Sequence, residues 1–247
     1  SVSRILKYDL GARAYKRHIV HKLNEKNKMD RLQRCKWLLR NITNEDAKNV
    51  LFTDESVFPI SGYHNAQNER IYAVNKADIS PEEMLKERQQ FPKSVMVWMG
   101  VSTKGKTDVI VCEEGCKITA ETYKEGILQN ALPQAKKMHR GKLIWQQDSA
   151  PSHKAKSTQS YLKKSVHRLI PADRWPPCSP DLNPMDYCVW GMLKQRVFAR
   201  HFTTTDELAG IIKEEAKLLD QGKITSSIEK WRKRMQLVVR NNGGHIE

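Results

Sequence analysis

Residues 51–55 are Leu51-Phe52-Thr53-Asp54-Glu55, a short apolar run that ends in two acidic residues. A second apolar run, at residues 143–147, leads into Asp148 in the same way. Short runs rich in branched and aromatic residues predict buried β-strands. Because the backbone of a sheet holds an acid at the end of such a strand, we expect the side chains of Asp54 and Asp148 to leave the sheet close together.

Helical and extended patterns alternate along the rest of the chain. This alternation predicts an α/β fold with a mixed sheet flanked by helices. Residues 59–92 are polar and include Gly62, Pro81 and Pro92, so they are expected to form a loop inserted after the first strand. Strands are expected at residues 49–53, 94–101, 108–112, 143–147 and 166–170, and helices at residues 30–39, 119–135, 151–162, 187–197, 205–219 and 225–239.

A third acid follows a proline-rich segment. Residues 176–180 are Pro-Pro-Cys-Ser-Pro, which excludes a helix interior or a central strand there. The apolar spacing after residue 184 predicts a helix with Asp186 in its first turn. Asp181 is the rival for the role of third acid. We favour Asp186, because Asp181 follows Pro180 in a turn where its carboxylate would cap backbone amides.

Three carboxylates suffice for a two-metal site. Mg²⁺ prefers oxygen ligands, and two ions about 3.5 to 4 Å apart can activate a water or a 3′-hydroxyl and stabilise the departing oxygen. We therefore expect Asp54, Asp148 and Asp186 to be both catalytic residues and metal ligands, with Mg²⁺ as the metal and Mn²⁺ able to replace it. Glu55 should point to the opposite face of its strand and take no direct part.

The charge of the chain indicates a polyanionic partner. Its 43 Lys and Arg against 28 Asp and Glu give a net charge of +15, which favours a nucleic acid. Residues 1–49 hold 13 basic and five acidic residues, so the excess is concentrated there. The residues expected to contact DNA are Arg4, Lys7, Arg13, Lys16 and Arg17, with Arg232, Lys233 and Arg234 as a further cluster that could equally be a solvated helix face. His153 is expected either to contact a DNA phosphate or a metal-bound water, or to be structural.

The first residues divide into two short segments. Residues 1–11 begin with serine, carry apolar residues at helical spacing and end at Gly11. This pattern fits the end of a truncated helix-turn-helix DNA-binding domain, and equally a short amphipathic helix. Residues 12–29 are expected to be a basic linker along DNA phosphates or a solvated connector. Residues 30–247 are expected to form one catalytic domain.

Several features bear on where the protein works. No apolar run approaches the roughly 18 to 20 residues that span a bilayer, and the first residues lack the apolar core of a signal peptide. The five cysteines are odd in number and scattered, which favours reduced thiols. We therefore expect an intracellular protein that does not associate with membranes.

The three acid-bearing segments closely resemble the catalytic motifs of mariner-like transposases. The resemblance implies a ribonuclease H-like fold, divalent-metal cleavage of DNA at transposon ends, and transfer of the freed 3′-hydroxyl into target DNA. The family's three acids match Asp54, Asp148 and Asp186, and the third acid is Asp, as in mariner branches. The matching segments are Thr53-Asp54-Glu55, Gln147-Asp148-Ser149-Ala150-Pro151-Ser152-His153 and Ser179-Pro180-Asp181-Leu182-Asn183-Pro184-Met185-Asp186-Tyr187.

The resemblance also implies partners. The loop at residues 59–92 occupies the place of a clamp-type loop that clasps a partner subunit, which implies a homodimer on paired terminal inverted repeats in the nucleus. Two other hypotheses remain open. The chain could be a transposon-derived DNA-binding protein without cleavage activity. It could also be an ordinary nuclease or ribonuclease H relative, although that leaves residues 1–29 unexplained.

Overall fold

A mixed sheet forms the centre of the fold. The structure is a computed structural model that describes residues 22–61, 93–112 and 118–246, together with residues 4, 5, 8, 79 and 80. Within these residues, six strands pair in the order β3-β2-β1-β5-β6, with β4 also on β2. They are β1 (Val50–Pro59), β2 (Ser94–Ser102), β3 (Gly105–Lys106), β4 (Ile110–Cys112), β5 (Ile144–Gln146) and β6 (Arg168–Leu169).

Strand β1 lies between an antiparallel and a parallel neighbour. It pairs with β2 from Phe52 opposite Val101 to Pro59 opposite Ser94. It pairs in parallel with β5, where Leu51 lies opposite Trp145. This pairing with β2 corrects one expectation: Asp54 lies inside a ten-residue strand instead of at the end of a short one.

The helices cover both faces of the sheet. In the described part of the chain, strands β1 to β4 come before helices and strands that alternate as far as β6, and the remaining elements are helical. They are α1 (Glu25–Asn41), α2 (Asn44–Ala47), α3 (Ala120–Thr122), α4 (Gln129–His139), α5 (Pro151–Lys154), α6 (Lys156–Ser165), α7 (Trp190–Val197), α8 (Thr205–Lys217), α9 (Gln221–Glu229) and α10 (Trp231–Arg240), with π-helical turns at Tyr123–Leu128 and Met185–Val189 and a 3₁₀ turn at Pro180–Leu182.

Several helix boundaries differ from the expected ones. Helix α1 begins at Glu25, inside the segment expected to be a linker, because the Asn24 side chain accepts a hydrogen bond from the Asn27 amide and caps it. The last two expected helices are three. Asp220 caps α9 early by accepting from two amides, and the chain breaks again at Lys230 before α10.

The apolar side chains form a core on each face of the sheet. On one face, Phe52 meets the edge of the Trp231 ring at a centroid distance of 4.9 Å. On the other, Trp98 stacks on Trp145 at 5.9 Å. Both rings of this stack are fully buried, which confirms that they are core residues. Two buried faces confirm the predicted sheet flanked by helices.

A buried arginine joins the first helix to the end of the chain. Arg31 is fully buried and donates two hydrogen bonds to the Asp181 carboxylate, at 2.9 and 2.7 Å. It also donates to the carbonyls of Gly243 and Gly244. Gly243 has φ +83°, and a Cβ there would lie 1.9 Å from the Lys28 carbonyl oxygen, so only glycine fits.

Two expected features fall mainly outside the described residues. Of residues 1–21, the structure describes Arg4, Ile5 and Tyr8, which are helical in conformation and exposed. Of the loop expected at residues 59–92, it describes only residues 59–61, 79 and 80. Among the residues with a described conformation, no helix is both long and apolar enough to cross a membrane.

Candidate active site

Asp54 is the acid nearest the centre of the sheet. Its carboxylate Oδ2 accepts a 2.7 Å hydrogen bond from the indole nitrogen of Trp190, at the start of α7. Burial raises the pKa of Asp54 well above its ordinary value, and the negative charges of Asp186, Glu55 and Asp148 raise it further. Asp54 is therefore held at one oxygen and repelled by three neighbouring acids.

Asp148 follows β5 and is held by the turn after it. The register that aligns Leu51 with Trp145 brings Asp148 level with Asp54. Its Oδ1 lies 2.5 Å from His153 Nδ1 and accepts a 2.9 Å hydrogen bond from the Ala150 amide. Burial alone would raise the pKa of Asp148, but the hydrogen bond and charge of His153 outweigh it and bring the pKa below its ordinary value.

Asp186 comes from a third element. Its amide donates to the carbonyl of Asn183, and it lies in the π-helical turn that leads into α7. Its side chain is exposed at the outer side of the site, yet displacement of water by the surrounding protein raises its pKa to about 6. The negative charge of Asp148 also raises the pKa of Asp186, and the positive charge of Lys194 lowers it.

The three acids therefore influence one another directly across the site. The charges of Asp186 and Asp148 raise the pKa of Asp54, and the charge of Asp148 raises that of Asp186, which indicates negative charge that the protein leaves only partly compensated. Carboxylate oxygens are the ligands that Mg²⁺ prefers, and a divalent cation would compensate that charge. Over the described part of the chain, no three His, Cys, Asp or Glu side chains converge closely enough to hold one ion. The binding of metal by these three acids therefore stays a prediction.

His153 lies behind Asp148 and is almost fully buried. Its Nε2 is 3.4 Å from Glu55 Oε1, and its ring packs on Tyr123 at a centroid distance of 4.3 Å. Burial would lower the pKa of His153, but its bonds to Asp148 and Glu55 raise it to about 9. A ring enclosed by two carboxylates and a tyrosine is not placed to contact DNA, so the structure favours the structural alternative.

Three other candidate site residues are engaged in contacts within the protein. Asp181, the rival third acid, is paired with the buried Arg31. Arg232 donates to the carbonyls of Ile42 and Leu39. Arg234 donates to the Asp181 carbonyl and lies over the Tyr187 ring.

These contacts give two of the three C-terminal basic residues a structural role, which leaves Lys233 exposed on α10. Arg4 is exposed. Lys7, Arg13, Lys16 and Arg17 lie outside the described residues, so their contact with DNA stays a prediction.

Sequence reasoning missed the residues that hold the acids. Trp190 is a buried core residue, and its indole nitrogen donates to Asp54. Glu55 was expected to point away; it does lie on the other face from Trp190, where it meets His153. One signal was available: Trp190 follows Asp186 by only four residues, so the segment that carries the third acid also carries this donor.

Known proteins are similar to this chain in sequence and in fold. The Tc3 transposase of Caenorhabditis elegans is 27% identical over 219 residues, which cover 87% of this chain and 63% of that protein. A Mos1 transposase paired-end complex with the left transposon end superposes with a TM-score of 0.81 at 20% identity, over 100% of this chain and 71% of that one. The Mos1 transposase catalytic domain with raltegravir and Mg superposes with a TM-score of 0.69 at 19% identity, over 92% and 100%.

These similarities confirm the resemblance to mariner-like transposases and the ribonuclease H-like fold. The present chain spans about 63% of the length of the Tc3 transposase. The sequence profile described as DDE superfamily endonuclease matches residues 49–209, which contain all three acids. This chain therefore belongs to the DDE superfamily endonuclease family.

Proposed function

We propose that this chain is the catalytic region of a DNA transposase, which cleaves transposon ends and joins the freed 3′-hydroxyl to target DNA. The observation that carries the proposal is that Asp54, Asp148 and Asp186 come from three separate elements and lie close enough for the charges of Asp148 and Asp186 to raise the pKa of Asp54. A purely structural cluster of acids would be paired with basic residues. Here Asp148 has His153 beside it and Asp186 is offset by Lys194, yet the pKa values of Asp54 and Asp186 stay raised by the neighbouring acids.

Asp54, Asp148 and Asp186 would hold two Mg²⁺ ions, and Mn²⁺ would serve in their place. Bound there, the metal would supply the Lewis acidity that activates an attacking oxygen and stabilises the leaving one. Asp54 would be the central member of the set, because the charges of both other acids act on it. Trp190 and His153 each hold one oxygen of an acid and so keep the carboxylates oriented.

The proposed partners are the terminal inverted repeats of a transposon and its target DNA. The net charge of +15 favours such a polyanion. A similar solved structure is a paired-end complex with a transposon end, which supports a homodimer that holds two ends. Because the substrate is chromosomal DNA, we place the protein in the nucleus.

Cleavage of labelled duplex DNA tests the proposal. The duplex carries the inverted repeats that flank the coding sequence, and the reaction contains Mg²⁺ or Mn²⁺. We expect nicking that requires the metal and is lost in Asp148→Asn and in Asp186→Asn. Asp206→Asn, which changes an exposed acid on α8, is the matched control and should cleave normally.

The outcomes separate the hypotheses. If the wild-type protein binds the repeats tightly, with a strong dependence on salt, but never cuts them, it is a DNA-binding derivative. If Asp186→Asn still cuts and a correctly folded Asp181→Asn does not, the third acid is Asp181. Cleavage of any duplex without preference for the repeats would favour an ordinary nuclease.

A further inference from the structure

One oxygen of Asp148 is occupied by the protein itself. Oδ1 receives the Ala150 amide at 2.9 Å and lies 2.5 Å from His153 Nδ1. Two contacts on the same oxygen fix the rotation of the carboxylate. The other oxygen, Oδ2, has no described partner of this kind and is the one that can face an ion. The direction of Asp148 therefore depends on where the His153 ring is held.

The second nitrogen of His153 faces Glu55. His153 Nε2 and Glu55 Oε1 are 3.4 Å apart, and both atoms are buried with no hydrogen-bonding partner among the described residues. A buried polar atom without a hydrogen-bonding partner is costly. Because these two atoms face each other at 3.4 Å, each is placed to become the hydrogen-bonding partner of the other. The side chains are 3% and 18% exposed, which limits competition from water.

The remaining sides of the ring are held by neutral groups. The Tyr123 ring packs on one face, and its hydroxyl donates to Gln147 Oε1 at 3.0 Å. Gln147 in turn donates to the His153 carbonyl at 3.1 Å. These contacts fix the backbone and one face of the ring. Among the described groups, Glu55 is the one placed to fix the edge opposite Asp148.

We propose that Glu55 is a positioning residue for the divalent-metal site, acting through His153 on Asp148. The inference rests on the proposed function, since it concerns the metal site of that reaction. Glu55 accepts from the Nε2 edge of His153, and the ring then presents its Nδ1–H to Asp148 Oδ1. Glu55 touches neither ion nor DNA in this role.

Binding of Mn²⁺ to the whole protein without DNA, followed by electron paramagnetic resonance of the free ion, tests the role. We expect Glu55→Ala to weaken Mn²⁺ binding about tenfold, the usual effect of removing a group that orients a metal ligand. Glu55→Gln should keep most of the affinity, because its amide oxygen still accepts from His153. Glu45→Ala, an exposed acid on α2, is the matched control and should bind as the wild type does.

Two further readouts separate positioning from loss of structure. The thermal midpoint in EDTA should change little in Glu55→Gln. In the cleavage reaction, Glu55→Ala should raise the Mg²⁺ concentration that gives half the maximal rate, while a saturating concentration restores most of that rate.

Several results would overturn the inference. Wild-type Mn²⁺ affinity in Glu55→Ala would show that His153 needs no support from Glu55. Equal losses in Glu55→Gln and Glu55→Ala would show a direct ligand or a simple effect of charge. If the wild-type protein itself binds no Mn²⁺, the proposed function fails as well; if it binds Mn²⁺ and the Glu55 variants match it, only this inference fails.

Discussion

Two of the three acids are each held at one oxygen by the ring N–H of a side chain, and Asp148 also accepts a hydrogen bond from the Ala150 amide. Trp190 donates to Asp54 across 136 residues of sequence, and His153 is the close neighbour of Asp148. Each donor occupies one oxygen and leaves the other available. A carboxylate oriented before the metal arrives loses less entropy when it binds. At the scale of single residues, we therefore expect these donors to set the direction of the carboxylates they hold.

Replacing Trp190 with Phe tests the donor that holds Asp54. The ring and its packing on Phe58 are largely kept, but the N–H is lost. Hydrogen bonds to charged groups contribute about 1.5 to 3 kcal/mol, and each 1.4 kcal/mol is about tenfold in rate. We expect DNA cleavage to slow by about ten- to a hundredfold, measured at a saturating concentration of Mg²⁺.

Trp231→Phe is the matched control, because Trp231 is buried but its indole nitrogen has no hydrogen-bonding partner among the described residues. This variant should lose some stability and keep its cleavage rate. An unchanged rate in Trp190→Phe would show that the hydrogen bond does not orient Asp54.

At the scale of elements, the sequence predicted the type of most helices and strands better than their limits. Strand β2 differs from the expected 94–101 by one residue, because its apolar run is long and ends at a turn with Gly105 at φ +147°. Strand β1 was expected to end at Thr53. It continues to Pro59 because β2 supplies hydrogen-bonding partners, which no local pattern reveals.

The site was predictable where it depends on local motifs, and not where distant elements meet. The three acids follow from short segments of sequence, but the contact of Glu55 with His153 joins β1 to α5. The two π-helical turns contain Tyr123 and Asp186, and α-helical periodicity gives no sign of them. These turns shift the side chains after them by part of a helical turn.

The end of α4 contains a histidine that should make stability depend on pH. Burial, followed by the charge of Lys104, lowers the pKa of His139 from 6.5 to about 4. Between pH 6.5 and about pH 4, His139 binds a proton in the unfolded chain but not in the native protein. The free energy of unfolding should therefore fall as the pH drops from 6.5 to about 4, by about 3 kcal/mol from this residue.

Urea unfolding at several pH values measures this effect. We expect His139→Leu to remove that part of the pH dependence, since the substituted residue does not titrate. His201→Leu changes an exposed histidine before α8 and should keep the wild-type dependence. If the two variants and the wild type have the same slope between pH 4 and pH 6.5, His139 is not the group responsible.

At the scale of the whole molecule, Arg31 links α1, the loop before Asp186 and the end of the chain. Its partner Asp181 lies five residues before the third acid, so the pair helps to set the position of that acid. Removal of one partner from a buried pair typically costs about 3 to 5 kcal/mol, because the other charge stays buried.

A double-mutant cycle tests the link. Arg31→Met and Asp181→Asn should each lower the free energy of unfolding by about 3 kcal/mol or more, and the double variant should lose clearly less than the sum. Lys48→Met with Glu45→Gln, an exposed pair, should show no measurable coupling. Additive losses in the Arg31 and Asp181 cycle would mean that the two residues act independently.

The distribution of charge predicts how DNA binding responds to salt. If Arg13, Lys16 and Arg17 contact phosphates, each contact releases a counterion when DNA binds, and the slope of log affinity against log salt falls by about 0.9 for each contact removed. The triple change to Gln should therefore reduce the slope by about 2 to 3, measured by fluorescence anisotropy with a labelled duplex in EDTA.

A second triple variant separates specific contacts from total charge. Lys136→Gln and Lys137→Gln on α4 with Lys163→Gln on α6 remove the same charge from helices that the catalytic acids do not use. This variant should keep the wild-type slope. Equal reductions in both triple variants would show that DNA responds to net charge alone, and that the basic segment after residue 11 does not follow the phosphate backbone.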